Sequence, residues 1–294
     1  MKQPQANAEQ ISHWNESAGP VWVAYQDRLD RQIRGHGERA IGAASLAPGD
    51  AVLDIGCGCG ETSLEIARRV GSSGGVHGID VSAPMLARAR ERAREAGFSH
   101  LDFSQMDAQS ADLGEGVFDV AFSRFGVMFF DNPRAAFANI SRALKSDGRL
   151  AFVCWQAPQE NPWIALPMAA IAPHVTLPPP PAVDAPGMFS LADPERIQRL
   201  LAEAGFADIS VEGAEIPMAP GGGGLDQAVD LFLEVGPARV LLEQAGGGEA
   251  LHDKLVAAVR EAYAPFATEQ GMRVRSAAWI VTAQNARAAR PAFR

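Results

Sequence analysis

The stretch Val52-Leu53-Asp54-Ile55-Gly56-Cys57-Gly58-Cys59-Gly60-Glu61-Thr62 constrains the fold more than any other part of the chain. Pro48-Gly49-Asp50 signals a turn just before it. Ala51 to Ile55 reads as a short apolar strand with one acid near its tip, and three glycines follow at alternate positions. From Thr62 the pattern turns helical, with Leu64, Ile66, Ala67 and Val70 set among charged residues. Strand, glycine turn and helix together let backbone pass close beneath a ligand, because side chains there would block the approach or forbid the required φ angles. The next apolar run, Val76 to Ile79, ends in Asp80, twenty residues past Gly60. An acid at that distance, closing a second strand, can accept hydrogen bonds from both hydroxyls of a ribose.

The spacing separates two kinds of nucleoside site. A dinucleotide fingerprint runs G-x-G-x-x-G, with a helix start facing a pyrophosphate. Here Gly56-x-Gly58-x-Gly60 is followed by Glu61, whose carboxylate suits the helix dipole but repels a pyrophosphate. Asp54 adds an acceptor suited to a cationic amine. The ordered set Asp54, Gly56, Gly58, Gly60 and Asp80 resembles motif I of the class I S-adenosylmethionine-dependent methyltransferases. That resemblance implies S-adenosyl-L-methionine as cofactor, its methionine and ribose portions lying over the glycines and Cys57. The alternatives are a non-catalytic nucleoside-binding domain and an NAD-dependent oxidoreductase.

The resemblance continues downstream. Gly78-Ile79-Asp80-Val81-Ser82-x-Pro84-Met85-Leu86 looks like the segment after motif I in the same family, where the positions of Val81 and Met85 line the adenine pocket. Core packing is the competing role for Met85. Leu101 to Gln105 reads as a third strand leading to Met106-Asp107-Ala108. The family places an adenine-binding acid at Asp107, next to Ala108, whereas local chemistry alone allows a turn-forming aspartate. Val117 to Ser123 is a near-continuous apolar run, as expected of a parallel strand buried on both faces. Phe118-Asp119 with Phe129 or Phe130 resembles the UbiE/COQ5-like branch, and Ser123, Arg124 and Phe125 fall where open α/β sheets place their ligands. Arg124 is expected either to hold an anionic group of cofactor or substrate, or to pair with Asp131.

These elements predict a Rossmann-like α/β fold with a seven-stranded sheet, six strands parallel and the last antiparallel, carrying helical cap insertions. The expected divisions are an N-terminal helical lid over 1–45, a cofactor-binding core over 46–155, a Pro-rich insertion over 156–190, and completion of the sheet over 191–294 with a helical cap at 225–268. The fifth strand is read as Arg149 to Trp155 after an Asp147-Gly148 turn. Residues 156–190 read as irregular, and Gly221 to Gly224 as a flexible connector. The cap reads as two helices, Ala228 to Glu243 and Glu249 to Ala264. Trp14, Val21, Trp22, Tyr25, Leu29 and Ile33 form a helical stripe opposite Asp27, Arg28, Asp30 and Arg31. It packs either on the core edge or as a lid, in which case Trp14 or Tyr25 touches the methionine end. His13 and His36 read as surface residues.

A small-molecule methyl acceptor of apolar or aromatic character is expected, because the cap region is rich in Pro, Met, Trp and Phe. Phe129, Trp163 and His174 are its candidate contacts, and His174 is the weak candidate for an acid or base. A formal net charge of −9 argues against a nucleic-acid backbone as the main partner. Arg273, Arg275, Arg287, Arg290 and Arg294 read as a solvated basic tail. Met1 to Gln10 lacks the apolar segment of a signal peptide, and no eighteen-residue apolar run suggests a membrane span. Three cysteines without a zinc-ligand set suggest a reducing, cytoplasmic compartment and no metal. The reading is compatible with a homodimer.

Overall fold

The structure, a computed structural model, describes residues 7–179, 181–182, 185–246 and 248–286. Arg287, Arg290 and Arg294 of the basic tail lie outside these residues, as do Met1 to Ala6. Five parallel strands form the body of the sheet: β1 (Ala51–Ile55), β2 (Gly75–Asp80), β3 (Leu101–Gln105), β4 (Phe118–Arg124) and β5 (Leu144–Trp155). The last strand, Ala277–Asn285, runs antiparallel between β5 and β6 (Phe206–Glu215). Across the sheet the order is β3, β2, β1, β4, β5, last strand, β6. The predicted seven-stranded α/β sheet is therefore present, with the antiparallel strand one place in from the edge.

The apolar pattern accounts for the layers. Val52, Leu53, Val120, Phe122, Leu150 and Phe152 are at most 1% exposed, as central parallel strands covered on both faces must be. Helix α4 (Glu61–Val70) turns Leu64, Ile66, Ala67 and Val70 onto the sheet and leaves Arg68 and Arg69 outside. Each fully buried large apolar side chain contributes about 1.5–3 kcal/mol of transfer free energy, so this shared core dominates the stability. Helix α5 (Ala83–Ala96) begins as its sequence specifies, with Ser82 accepting from the Met85 N–H, and ends at Gly97 in the left-handed region.

Four local readings are corrected. The 156–190 segment contains helix α7 (Pro162–Ile171), begun by Pro162 and continuing through Pro167. The carbonyl that Pro167 leaves without an intrahelical partner, Trp163 O, instead accepts from the Tyr263 hydroxyl at 2.6 Å. The first cap helix is two helices, α9 (Leu225–Glu234) and α10 (Pro237–Gln244), because Gly236 takes φ 82° and Pro237 starts a new turn. Helix α11 (Glu249–Tyr263) completes the cap. The 221–224 glycines are not a free connector: the Gly221 N–H donates to Gln32, and Arg28 donates to the Gly221 and Gln227 carbonyls. Strand β5 starts five residues early, at Leu144, with a register shift that carries the Asp147-Gly148 turn inside it.

The N-terminal region forms α1 (Ala8–Ser12), a π-helical turn (His13–Ser17), α2 (Ala18–Ala24) and α3 (Gln26–Ala43). Two of its residues are far from solvent, contrary to the amphipathic reading. Asp30 is 7% exposed because it meets arginines from elsewhere in the fold. His36 is fully buried, its Nε2 2.8 Å from Ser276 Oγ and its ring against Phe125 and Trp155.

Candidate active site

The carboxyl ends of β3, β2, β1 and β4 lie side by side, about 4.8 Å from strand to strand. They present, in that order, Asp107 just beyond β3, Asp80, Gly56 and the Arg124-Phe125 pair. All five residues line one cavity of about 490 Å³. At its centre the tips of β1 and β4 nearly touch. A Cβ on Gly56 would stand 2.8 Å from Gly126 Cα, and one on Gly126 would stand 2.8 Å from the Ile55 carbonyl oxygen. Ser123 fastens the same junction, donating to the Ile55 carbonyl at 2.7 Å and accepting from the Gly126 N–H at 3.2 Å. Phe125 occupies the left-handed region at φ 60°, held by stacking on Trp155 with ring centroids 4.1 Å apart.

Asp80 accepts from the Gly58 N–H at 2.9 Å and from the Ser82 N–H at 2.8 Å, which fixes its carboxylate at the cavity wall. Burial raises its affinity for a proton, against those backbone donors. Cys57, Gly58, Val81, Met85 and Ala108 line the cavity beside it. Asp107 lines the cavity and caps its own turn, accepting from the Gln109 N–H and the Ser110 hydroxyl. Burial pushes the Cys57 thiol well above the ordinary range and Cys59 up to about 12, so neither is a thiolate nucleophile at neutral pH.

Six expectations differ from the geometry. Asp54 is fully buried behind the glycine turn, where one carboxylate oxygen accepts from Thr62 and Ser63 and the other has no partner. Burial lifts its pKa to about 6. Asp54, Gly60 and Ser123 support the turn without lining the cavity. Tyr25 faces away, under the Arg28 guanidinium at 5.5 Å. His174 is exposed on a 3-10 turn outside the cavity, so it is withdrawn as an acid or base. Arg124 pairs with Asp30 at 3.1 Å and Glu61 at 2.6 Å instead of with Asp131.

Trp14, Phe129 and Trp163 line the cavity. Trp14 meets Phe129 edge-on at 5.1 Å and Trp22 at 5.8 Å. Its backbone is fastened to the segment after Asp80. Ser82 Oγ donates to the Trp14 carbonyl at 2.7 Å, while Asn15 donates to the Val81 carbonyl and accepts from the Ala83 N–H. Beyond Phe125 the wall is apolar, made by Trp155, Ile164, Met188, Leu231 and Phe232. Sequence reasoning missed Gln26, Asp30, Asn15, Gly126 and His13. His13 lines the cavity mouth, and the others acquire their roles only through distant partners. Among the described residues no group of three or more His, Cys, Asp or Glu side chains is arranged to hold a metal ion, and no helix is long and apolar enough to cross a membrane.

The residues present fit an adenosyl cofactor. A glycine floor, a fixed carboxylate one strand away and a further acid beyond it match a sulfonium, a ribose and an adenine in sequence. Residues 52–148 match the family model described as a methyltransferase domain. Over 116 residues the chain is 35% identical to aklanonic acid methyltransferase DauC from Streptomyces sp. (strain C5), covering 40% of this chain and 53% of that protein. Over 122 residues it is 33% identical to the ubiquinone/menaquinone biosynthesis C-methyltransferase UbiE of Teredinibacter turnerae, covering 41% and 49%. The chain thus spans about half the length of these curated relatives. Phosphoethanolamine N-methyltransferase 2 from Haemonchus contortus, solved with S-adenosyl-L-methionine, superposes with a TM-score of 0.52 at 21% identity, over 85% of this chain and 52% of that one.

Proposed function

We propose, for a chain that carries a class I S-adenosylmethionine-dependent methyltransferase domain over residues 52–148, that it transfers a methyl group to a small apolar or aromatic acceptor. The observation that carries this reading is the unbroken cavity running from Asp107 past Gly56 to the aromatic wall under the cap. When bound, the cofactor supplies the methyl group and the sulfide leaving group. The chain's own residues bind, align and dry. Asp80 offers its carboxylate to the ribose hydroxyls, and Asp107 faces the adenine edge. Trp14, Phe129 and Trp163 close on a flat acceptor beside the glycine turn. Holding the acceptor in line with the methyl–sulfur bond removes up to about 7–11 kcal/mol of barrier. The apolar wall excludes water that would otherwise solvate the reacting pair. The relatives' names give aklanonic acid in one case and ubiquinone/menaquinone biosynthesis in the other, which is consistent with a cavity of this lining.

Titration calorimetry with S-adenosylhomocysteine, followed by methyl-label transfer to a panel of phenols, quinols and enolisable diketones, tests the reading. Binding of the nucleoside together with transfer to at least one apolar acceptor supports it. Binding without transfer to any member favours a non-catalytic domain, and absence of binding refutes the reading.

A further inference from the structure

The wall beyond Phe125 is built by β5, α7, α9 and α11, and of its cavity-lining side chains Trp155, Trp163 and Tyr263 carry a polar hydrogen. Two of these hydrogens are spent inside the protein. Trp163 Nε1 donates to Asn161 Oδ1 at 2.9 Å, and the Tyr263 hydroxyl donates to the Trp163 carbonyl at 2.6 Å. Trp155 differs. Its side chain is 4% exposed, and three rings fix its plane: Phe125, stacked at 4.1 Å with 15° between planes, His36 at 4.8 Å and Trp163 at 5.0 Å. Among the described residues its indole N–H makes no hydrogen bond. Nor is Nε1 sealed off without a partner, as His36 Nδ1 is, so the nitrogen reaches the surface of the cavity that the ring lines. A tryptophan buried to this extent ordinarily gives its N–H to an acceptor, because a buried donor left unpaired costs free energy.

We infer that Trp155 Nε1–H donates a hydrogen bond to an oxygen of the molecule that receives the methyl group, which is therefore an oxygenated flat ring and not a hydrocarbon. This rests on the methyl-transfer reading and adds to it a specificity residue and the chemical class of substrate that residue selects. Three physical points carry it. β5 lies beyond β4, on the side of β1 away from Asp80 and Asp107, so Trp155 meets the substrate end of the cavity and not the nucleoside end. An indole nitrogen only donates, so its partner is a carbonyl, phenol or enolate oxygen. The neighbouring Ile164, Leu231 and Phe232 offer no polar atom, so an oxygen is matched at this one point of the wall and the rest of the ring rests on apolar surface. A site of that kind discriminates strongly, because an analogue without the oxygen leaves the buried N–H unpaired. The indoles of Trp14 and Trp22, which line the cavity from the N-terminal helices, are only half-buried and lack this selectivity.

The probes are 2-naphthol and naphthalene, the same fused rings with and without one oxygen. Each is titrated by calorimetry into the full chain loaded with S-adenosylhomocysteine, while NMR of isotope-labelled tryptophan follows the indole N–H signals. 2-Naphthol is expected to bind about two- to tenfold more tightly than naphthalene. It should move the Trp155 signal downfield and leave those of Trp163 and Trp279, already given to Asn161 and Ala192, in place. Trp155→Phe is expected to lower the ratio of the two affinities by about two- to tenfold, whatever the smaller ring does to both. Equal affinities in the wild type, an unmoved Trp155 signal, or a ratio that survives the substitution overturns the assignment. Should Trp155→Phe fail to fold, the wild-type signal decides, assigned through nuclear Overhauser contacts with Phe125 and His36. A downfield shift with 2-naphthol and none with naphthalene supports the bond, and the same response to both overturns it. Binding of both probes without preference refutes the Trp155 contact alone, whereas loaded protein that binds neither refutes the apolar-acceptor reading as well.

Discussion

Removing the Tyr263 hydroxyl tests how the cap is held over the cavity. Trp163 lies four residues before Pro167 in α7, so its carbonyl points at the place where an amide N–H would be and a proline ring is. Tyr263, 1% exposed on α11, supplies the missing donor at 2.6 Å. Tyr263→Phe leaves that buried carbonyl unpaired, a loss of about 1–3 kcal/mol, with no change of ring packing. Pro167→Ala restores an N–H to the same carbonyl. In the Pro167→Ala background the Tyr263→Phe cost is therefore expected to fall by about 1 kcal/mol or more, a coupling between residues that belong to different helices. Urea unfolding of the two single variants and the double variant measures it as a double-mutant cycle. Additivity within about 0.5 kcal/mol would refute the reasoning, because two independent sites add to that precision. Trp163 lines the acceptor end of the cavity, so the single variant is also expected to raise the acceptor KM while leaving S-adenosylhomocysteine affinity unchanged.

Asp80→Ala removes the carboxylate assigned to the ribose and is expected to weaken S-adenosylhomocysteine by about 1–3 kcal/mol in calorimetry; an unchanged affinity counts against the cofactor site. Gly19→Ala is expected to destabilise the chain by about 1–3 kcal/mol and to shift tryptophan emission, because its Cβ would stand 2.0 Å from the Trp14 carbonyl oxygen; wild-type unfolding and emission would show that the contact is not needed. His36 is buried neutral, its pKa lowered from 6.5 to about 4 mainly by burial and then by Arg124. The unfolded chain takes up the extra proton between those values, so this group favours folding fully above about 6.5 and loses that contribution as pH falls towards 4. Relative to His36→Gln, wild-type stability should therefore fall by about 3 kcal/mol across that interval, and parallel stability curves would refute it. Subtraction of the variant is needed because Asp54, raised to about 6, contributes with the opposite sign over nearly the same range.

What the sequence disclosed was set by local geometry. The strand ending at Ile55, the glycine turn, the Ser82 cap and Asp80 are all specified within a few residues, and they stand where the pattern puts them. Helical spacing puts Asp30 on the polar face with Asp27 and Arg31, and its arginine partners lie 62 and 94 positions away. His36 is bonded to a serine 240 positions distant, and nothing adjacent to it distinguishes it from a surface histidine. The prolines of 156–190 suggested irregular chain, yet Pro162 starts a helix and the defect at Pro167 is repaired by a tyrosine 96 positions later, a compensation that periodicity cannot register. The one legible hint was Arg124 itself, because a guanidinium at the tip of a buried strand requires an anion from somewhere.

The placement of the site follows from strand order more than from any single residue. The chain lays β1, β2 and β3 outward in one direction, then returns to set β4 on the other side of β1. The connections leaving β1 and β4 therefore diverge, and a crevice opens between them at the carboxyl edge. Most side chains at Gly56 and Gly126 would wedge that crevice apart, while two glycines let it close at backbone contact. In the proposed arrangement the donor's polar nucleoside lies towards β2 and β3, where Asp80 and Asp107 stand, and its reactive end towards β5 and the cap. The apolar wall and the acidic wall are thus on opposite sides of one topological break, so in the proposed arrangement acceptor chemistry can change with the cap while the donor site stays fixed.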